Sequence, residues 1–213
     1  MVNNIILLLI SMSIIFGYYF YYRIKYGRQK SISDSVYIVK PWWLFAITMM
    51  AFPIPFVIAA ENIALVHETG SIFGDFIREF TAFWAGGLIC LVGVANCFYK
   101  PDKQEETLHV VGATGGIALG LTFISSISLW YLIPVSLYAL FIAYCRYTKK
   151  YRNYSMKKVT SKYLILFYLK PYLEKLKVFI GKLPTVPYYT ETVELVAIIL
   201  LFGTVLFESL KLP

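Results

Sequence analysis

Ionisable and hydroxyl side chains are scarce in the apolar parts of this chain, so the few at the ends of apolar runs mark where chemistry could occur. His109 opens one such run. Glu191 and Glu194 open another, three residues apart, a spacing that puts both carboxylates on one face of a helix. Ser31, Ser33 and Asp34 belong to a polar segment that must lie on the same side of the molecule if the apolar runs thread back and forth. An imidazole near carboxylates and a hydroxyl can transfer protons or act on a polar head group, which makes His109, Glu191, Glu194, Ser33 and Asp34 the candidate catalytic residues. The same groups also have a structural reading, in which the glutamates complement the positive end of a helix and His109 is an interfacial polar residue. A working site requires His109 within contact distance, or one water, of Glu191, Glu194 or Asp34.

The elements that must position these residues are six apolar stretches, at 4–22, 41–60, 80–98, 109–127, 129–146 and 190–208. A spanning helix needs about 20 mostly apolar residues, and irregular backbone cannot satisfy its own hydrogen bonds in hydrocarbon. With 59% hydrophobic and 15% charged residues, the 213-residue chain is expected to be an all-α polytopic membrane protein. It reads as a single transmembrane domain, 1–213, built as a six-helix bundle. The stretch 163–182 is different, because Lys170, Glu174, Lys175 and Lys177 would each cost about 2.5–3.5 kcal/mol near the bilayer centre. An interfacial amphipathic helix at about 165–182 is expected instead, with Leu173, Leu176, Phe179 and Ile180 toward lipid and Pro171 at a break or a helix start.

The basic residues segregate. Five lie between the first two spans (Arg23, Lys25, Arg28, Lys30, Lys40), two between the third and fourth (Lys100, Lys103), and eleven from Arg146 to Lys182. Only Arg78 and Lys211 are left for the opposite side, where Glu61, Glu68, Asp75 and Glu79 cluster. The positive-inside rule then places 23–40, 99–108 and 147–189 in the cytoplasm, with 61–79 and both termini outside, as a multi-pass protein of the cell (inner) membrane. The first helix reads as a retained anchor, since its basic residues follow the apolar run. The formal charge of +8 fits contacts of the basic 147–182 segment with anionic lipid head groups, and no nucleic-acid motif accompanies it.

Gly112, Gly116 and Gly120 recur at four-residue spacing beside Ala113 and Gly115. Such a bare face either lets another helix approach, here Ala82, Gly86 and Cys90 of the third span, or admits a lipid chain. The helix at 109–127 is therefore expected at the centre of the bundle. Pro53, Pro55 and Pro134 should bend their helices. Trp42, Trp43, Trp130, Tyr188 and Tyr189 sit near helix ends as an aromatic belt. Cys90, Cys97 and Cys145 all fall inside spans and imply packing rather than a disulfide framework. Glu61, His67, Glu68 and Asp75 carry metal-binding side chains, but the two histidines of the chain lie on opposite sides, so neither a metal nor a cofactor is assigned. No GxSxG, HExxH, paired CxxC or Walker loop is present.

The segment SISDSVYIVKPWWLF resembles the "iSD-(T/S)-G … P … lF" segment of the damage-regulated autophagy modulator, Frag and Sfk group of six-helix membrane proteins. LHVVGA is similar to that group's His-x-x-Gly-Ala segment, and the likeness runs over about 1–147. By motif, Ser33, Asp34, His109, Gly112 and Ala113 are the matching positions, while Val36 stands where the group has glycine. The resemblance implies six helices and a role at membranes connected with lipids. It also implies that the 23–40 loop is outer or lumenal, opposite to the charge count. The expected activity is that of a lipid-associated or partner-binding helical bundle, its partners being membrane lipids, another membrane protein or a second copy. The alternatives are a small transporter or channel, and a membrane-embedded lipid-modifying enzyme using His109 with nearby carboxylates.

Overall fold

Hydropathy dictates the helices, and the computed structural model of the chain shows them. It describes the backbone of residues 2–29, 31–41, 43–67, 70–98, 103–152 and 164–212, and within these the side chains of all but 2, 33, 34, 95–98, 103–109 and 164–169. Among these residues eight α-helices follow in order: α1 (Val2–Tyr26), α2 (Trp43–Ala51), α3 (Pro53–Val66), α4 (Ile72–Phe98), α5 (Lys103–Ile127), α6 (Leu132–Tyr151), α7 (Leu164–Lys182) and α8 (Tyr189–Lys211). Short 3-10 helices occupy Ser33–Tyr37 and Leu129–Tyr131. Among the described residues there is no strand. Among the described residues six spans are long and apolar enough to cross a membrane, with α2 and α3 together forming the second and α7 not among them. The protein is an all-α, multi-pass membrane bundle.

The second span forms the centre. Phe45, Ala46, Ala59, Ala60 and Ile63 are fully buried, and its two halves pack between α1, α4 and α8. This corrects the expectation that the glycine-rich 109–127 helix is central. The glycines of α5 lie against α4 and, at Gly120, against Leu201 of α8, while Val110 and Val111 are exposed. Pro53 and Pro55 break the span, as their missing N–H groups require, so that α2 ends at Ala51 and α3 starts at Pro53. Ser11 on α1 donates to the Phe52 carbonyl at 2.5 Å, tying α1 to the residue between the two halves.

Several boundaries differ from expectation, among them the start of α5, which lies at Lys103 so that His109 stands inside the helix rather than opening it. The polar stretch 61–79 is not all loop: α3 runs to Val66 and α4 begins at Ile72. Arg78 can enter the bundle because its guanidinium is matched by Asp75 and by two helix-end carbonyls described below. Pro171 neither breaks nor starts a helix but lies inside α7, exposed, where the lost hydrogen bond is least costly. Leu173, Leu176 and Phe179 are exposed on α7, and its end is held to α6 by Gly181 on the Tyr151 carbonyl and by Tyr144 Oη donating to Pro184 O at 2.6 Å. Cys145 is buried in α6 and Cys90 Sγ lies 3.6 Å from the Met50 carbonyl, both as free thiols.

Candidate functional site

The connection between α1 and α2 folds back onto the first turns of α8. α1 ends where Gly27 takes a φ of +77°, a left-handed conformation that glycine adopts without strain, and this turns Arg28 toward α8. The Nε of Arg28 donates to Glu191 Oε2 at 3.2 Å, and Tyr22 Oη donates to Glu191 Oε1 at 3.1 Å. Four residues on, the backbone N–H of Ile32 donates to Glu194 Oε2 at 2.5 Å. Ser35 donates to the Ile32 carbonyl, so Tyr18 Oη is the donor in its 2.6 Å bond to Ser35 Oγ. Tyr22 and Glu191 are essentially inaccessible. A buried carboxylate survives only with such partners, and here it acquires both from α1 and the turn after it.

Glu191 and Glu194 thus meet the 23–40 loop, through Arg28 and Ile32. The side chains of Ser33, Asp34 and His109 lie outside the described residues; the backbone of the first two belongs to the 3-10 helix, and His109 stands one turn before Ala113 on α5. Tyr22 and Arg28 are the residues that sequence reasoning passed over. Tyr22 reads as one more belt aromatic and Arg28 as a topology charge. The signal was Glu191 itself, a carboxylate at a span end that demands donors.

Beneath this polar layer lies a cavity of about 70 Å³, lined by Ile15, Phe45, Met49, Phe52, Ala113 and Ile198 among others, with Glu194 at one end. A smaller one of about 30 Å³ shares Phe52, Ile89, Ile117 and Ile198 with it and reaches Phe202. One water needs roughly 10–15 Å³ of such space, and an apolar lining offers it no partners, so this interior suits an apolar occupant. Of the glycines, Gly112 is covered by Val92 and the Leu88 carbonyl, Gly120 by Leu201, and Gly116, against Ile89 and Ala85, borders the smaller cavity. Their partners on α4 are Ala85, Leu88, Ile89 and Val92; the expected Gly86 and Cys90 face α3 and α2.

A second polar cluster closes the opposite end. Glu208 on α8 accepts from Tyr131 Oη and from Lys211 Nζ at 2.7 Å, and pairs with His67 Nε2 at 3.1 Å. Arg78 donates to the His67 carbonyl at 2.5 Å, to Asp75 at 3.3 Å and to the Ser126 carbonyl at 3.1 Å. His67 therefore pairs with Glu208, not with Glu61 or Asp75, and Glu68 lies outside the described residues. No group of three His, Cys, Asp or Glu able to hold a metal occurs among the described residues. The network ties α3, α4, α5, α8 and the turn before α6 together, which is a structural role; the loop end, with its cavity, is the part that can receive a ligand. No family model matches the chain, and neither a curated protein nor a solved structure matches it.

Proposed function

We propose that this is a lipid-associated membrane protein whose bundle takes up an apolar chain from the leaflet next to the 23–40 loop. The observation that carries the reading is the apolar cavity between α1, α2, α4, α5 and α8, with the polar loop-and-glutamate layer at its end. That is the arrangement an amphiphile requires, chain below and head group above. The resemblance to the damage-regulated autophagy modulator, Frag and Sfk group supports the same reading. Transport of ions is less well supported, because the cavity lining is apolar apart from Glu194. Anionic head groups fit the exposed basic residues Lys149, Lys150, Arg152, Lys175 and Lys182 around the α6–α7 junction.

Filling the cavity tests the proposal. Ala113→Leu adds three carbons to its wall, and the protein purified in mild detergent should retain markedly less chain-bearing lipid by native mass spectrometry. Unchanged lipid content in a folded variant would remove the cavity from the reading.

For orientation we propose a cell-membrane protein with the loop, the α6–α7 connection and α7 in the cytoplasm and both termini outside. Ser71 and Lys182 are exposed near opposite ends of the bundle, whereas Ser35 is buried and unsuited to labelling. Introduced cysteines should react with an impermeant maleimide in intact cells at Ser71→Cys and only after permeabilisation at Lys182→Cys. The reverse pattern would favour the orientation implied by the family resemblance.

A further inference from the structure

We infer that Arg28 is a phosphate receptor, and that the chain-bearing ligand of the cavity is an anionic amphiphile with a phosphate head. The inference rests on the cavity reading above. Glu191, buried and held by Tyr22, takes only the Nε of Arg28, and no other partner of Arg28 is found among the described residues except the ring of Tyr188, 5.1 Å beneath the guanidinium. The two Nη groups therefore remain for an outside acceptor, on a side chain that is 41% exposed. A guanidinium bonded at Nε and held over a ring presents its remaining N–H donors as a fork, the geometry that matches two oxygens of a phosphate.

Four further observations point the same way. Tyr188 is the sole non-glycine residue with positive φ among those described, at 53°, and its strained backbone sits at the very ring that supports Arg28. The next residue, Tyr189, carries Lys149 over its ring at 4.8 Å, so consecutive tyrosines each hold a cation. Glu191 and Glu194 are engaged by Arg28 with Tyr22 and by the Ile32 N–H, and the 23–40 loop carries five basic residues against Asp34 alone. Arg28 pairs with Glu191, and Glu194, three residues further along α8, lines the cavity, so the arginine and the cavity meet the same end of that helix.

The ligand's phosphate could belong to a lipid or be free in solution, and the test separates them. Binding to the full-length protein in detergent is measured for an oleoyl lysophosphatidate, for mono-oleoylglycerol and for inorganic phosphate alone. Arg28→Gln should weaken the lysophosphatidate roughly ten- to a hundred-fold, and leave mono-oleoylglycerol unchanged, which also shows that the variant is folded. Arg28→Lys, with charge but no fork, should fall between. Ala113→Leu should weaken both lipids. Equal effects of Arg28→Gln on the two lipids, or none, would overturn the inference while leaving the cavity reading intact. Loss of lysophosphatidate in Arg28→Gln without any effect of Ala113→Leu, together with inorganic phosphate binding as tightly as the lipid, would make free phosphate the ligand and overturn the lipid assignment.

Discussion

Arg78→Ala should lower the unfolding free energy by about 3–5 kcal/mol, the usual cost of removing one member of a buried charged network. The side chain is 6% exposed and is the donor to Asp75 and to the carbonyls of His67 and Ser126, the ends of α3 and α5. Deleting it takes the donor from both helix ends in a place that water reaches poorly. Its own Nε is buried without a partner, so the arginine already bears some desolvation cost and is retained for what its Nη groups join. Lys211→Met provides the contrast, since that lysine is half-exposed and the buried Glu208 it pairs with keeps Tyr131 and His67, so the loss should be smaller, about 1.5–3 kcal/mol for one hydrogen bond to a charged group. Reversible unfolding in mixed micelles titrated with dodecyl sulfate measures both. A loss below about 1 kcal/mol for Arg78→Ala would show that the outer ends of α3, α4 and α5 are held by apolar packing alone.

Gly112→Val and Gly116→Val should each destabilise the bundle by about 1–3 kcal/mol through overpacking. An added Cβ at Gly112 would lie 2.5 Å from Val92 Cγ2 and 2.9 Å from the Leu88 carbonyl, and one at Gly116 would lie 2.6 Å from Ile89 Cγ1 and 3.0 Å from the Ala85 carbonyl. Side chains can rotate away, but the two carbonyls belong to the α4 backbone, so α4 and α5 must separate. Gly17 and Gly203 have nothing within 4 Å of an added Cβ. Gly17→Ala and Gly203→Ala should therefore be neutral or gain up to about 1 kcal/mol from helix propensity. The same micellar unfolding assay ranks the four variants. Equal behaviour of all four would mean that the α4–α5 spacing is not set by these glycines.

Several features could be read from the chain before any coordinate. The apolar runs at 4–22, 41–60 and 190–208 announce spans because the cost of exposing backbone in hydrocarbon leaves a run of that length and polarity no other stable form. Pro53 and Pro55 announce a break in the second span, since a missing N–H is a property of the residue itself. Glu191 and Glu194 stand out as carboxylates at the edge of an apolar helix, and their need for donors follows from charge and burial alone.

Tertiary structure decided which donors those are. Tyr22 and Arg28 lie more than 160 positions from Glu191 and carry no local mark that distinguishes them from other belt aromatics or loop cations. Arg78 looks like a loop charge until the carbonyls of His67 and Ser126 are brought to it, and its burial is what lets α4 start at Ile72. The glycines of α5 reveal that a neighbour comes close, yet not on how many sides, which is why the centre passed to the second span instead. Hydropathy, proline and glycine act within one or two helical turns and so are written locally; burial of a polar group depends on atoms supplied by distant segments, and only the packed bundle brings those atoms within hydrogen-bonding reach.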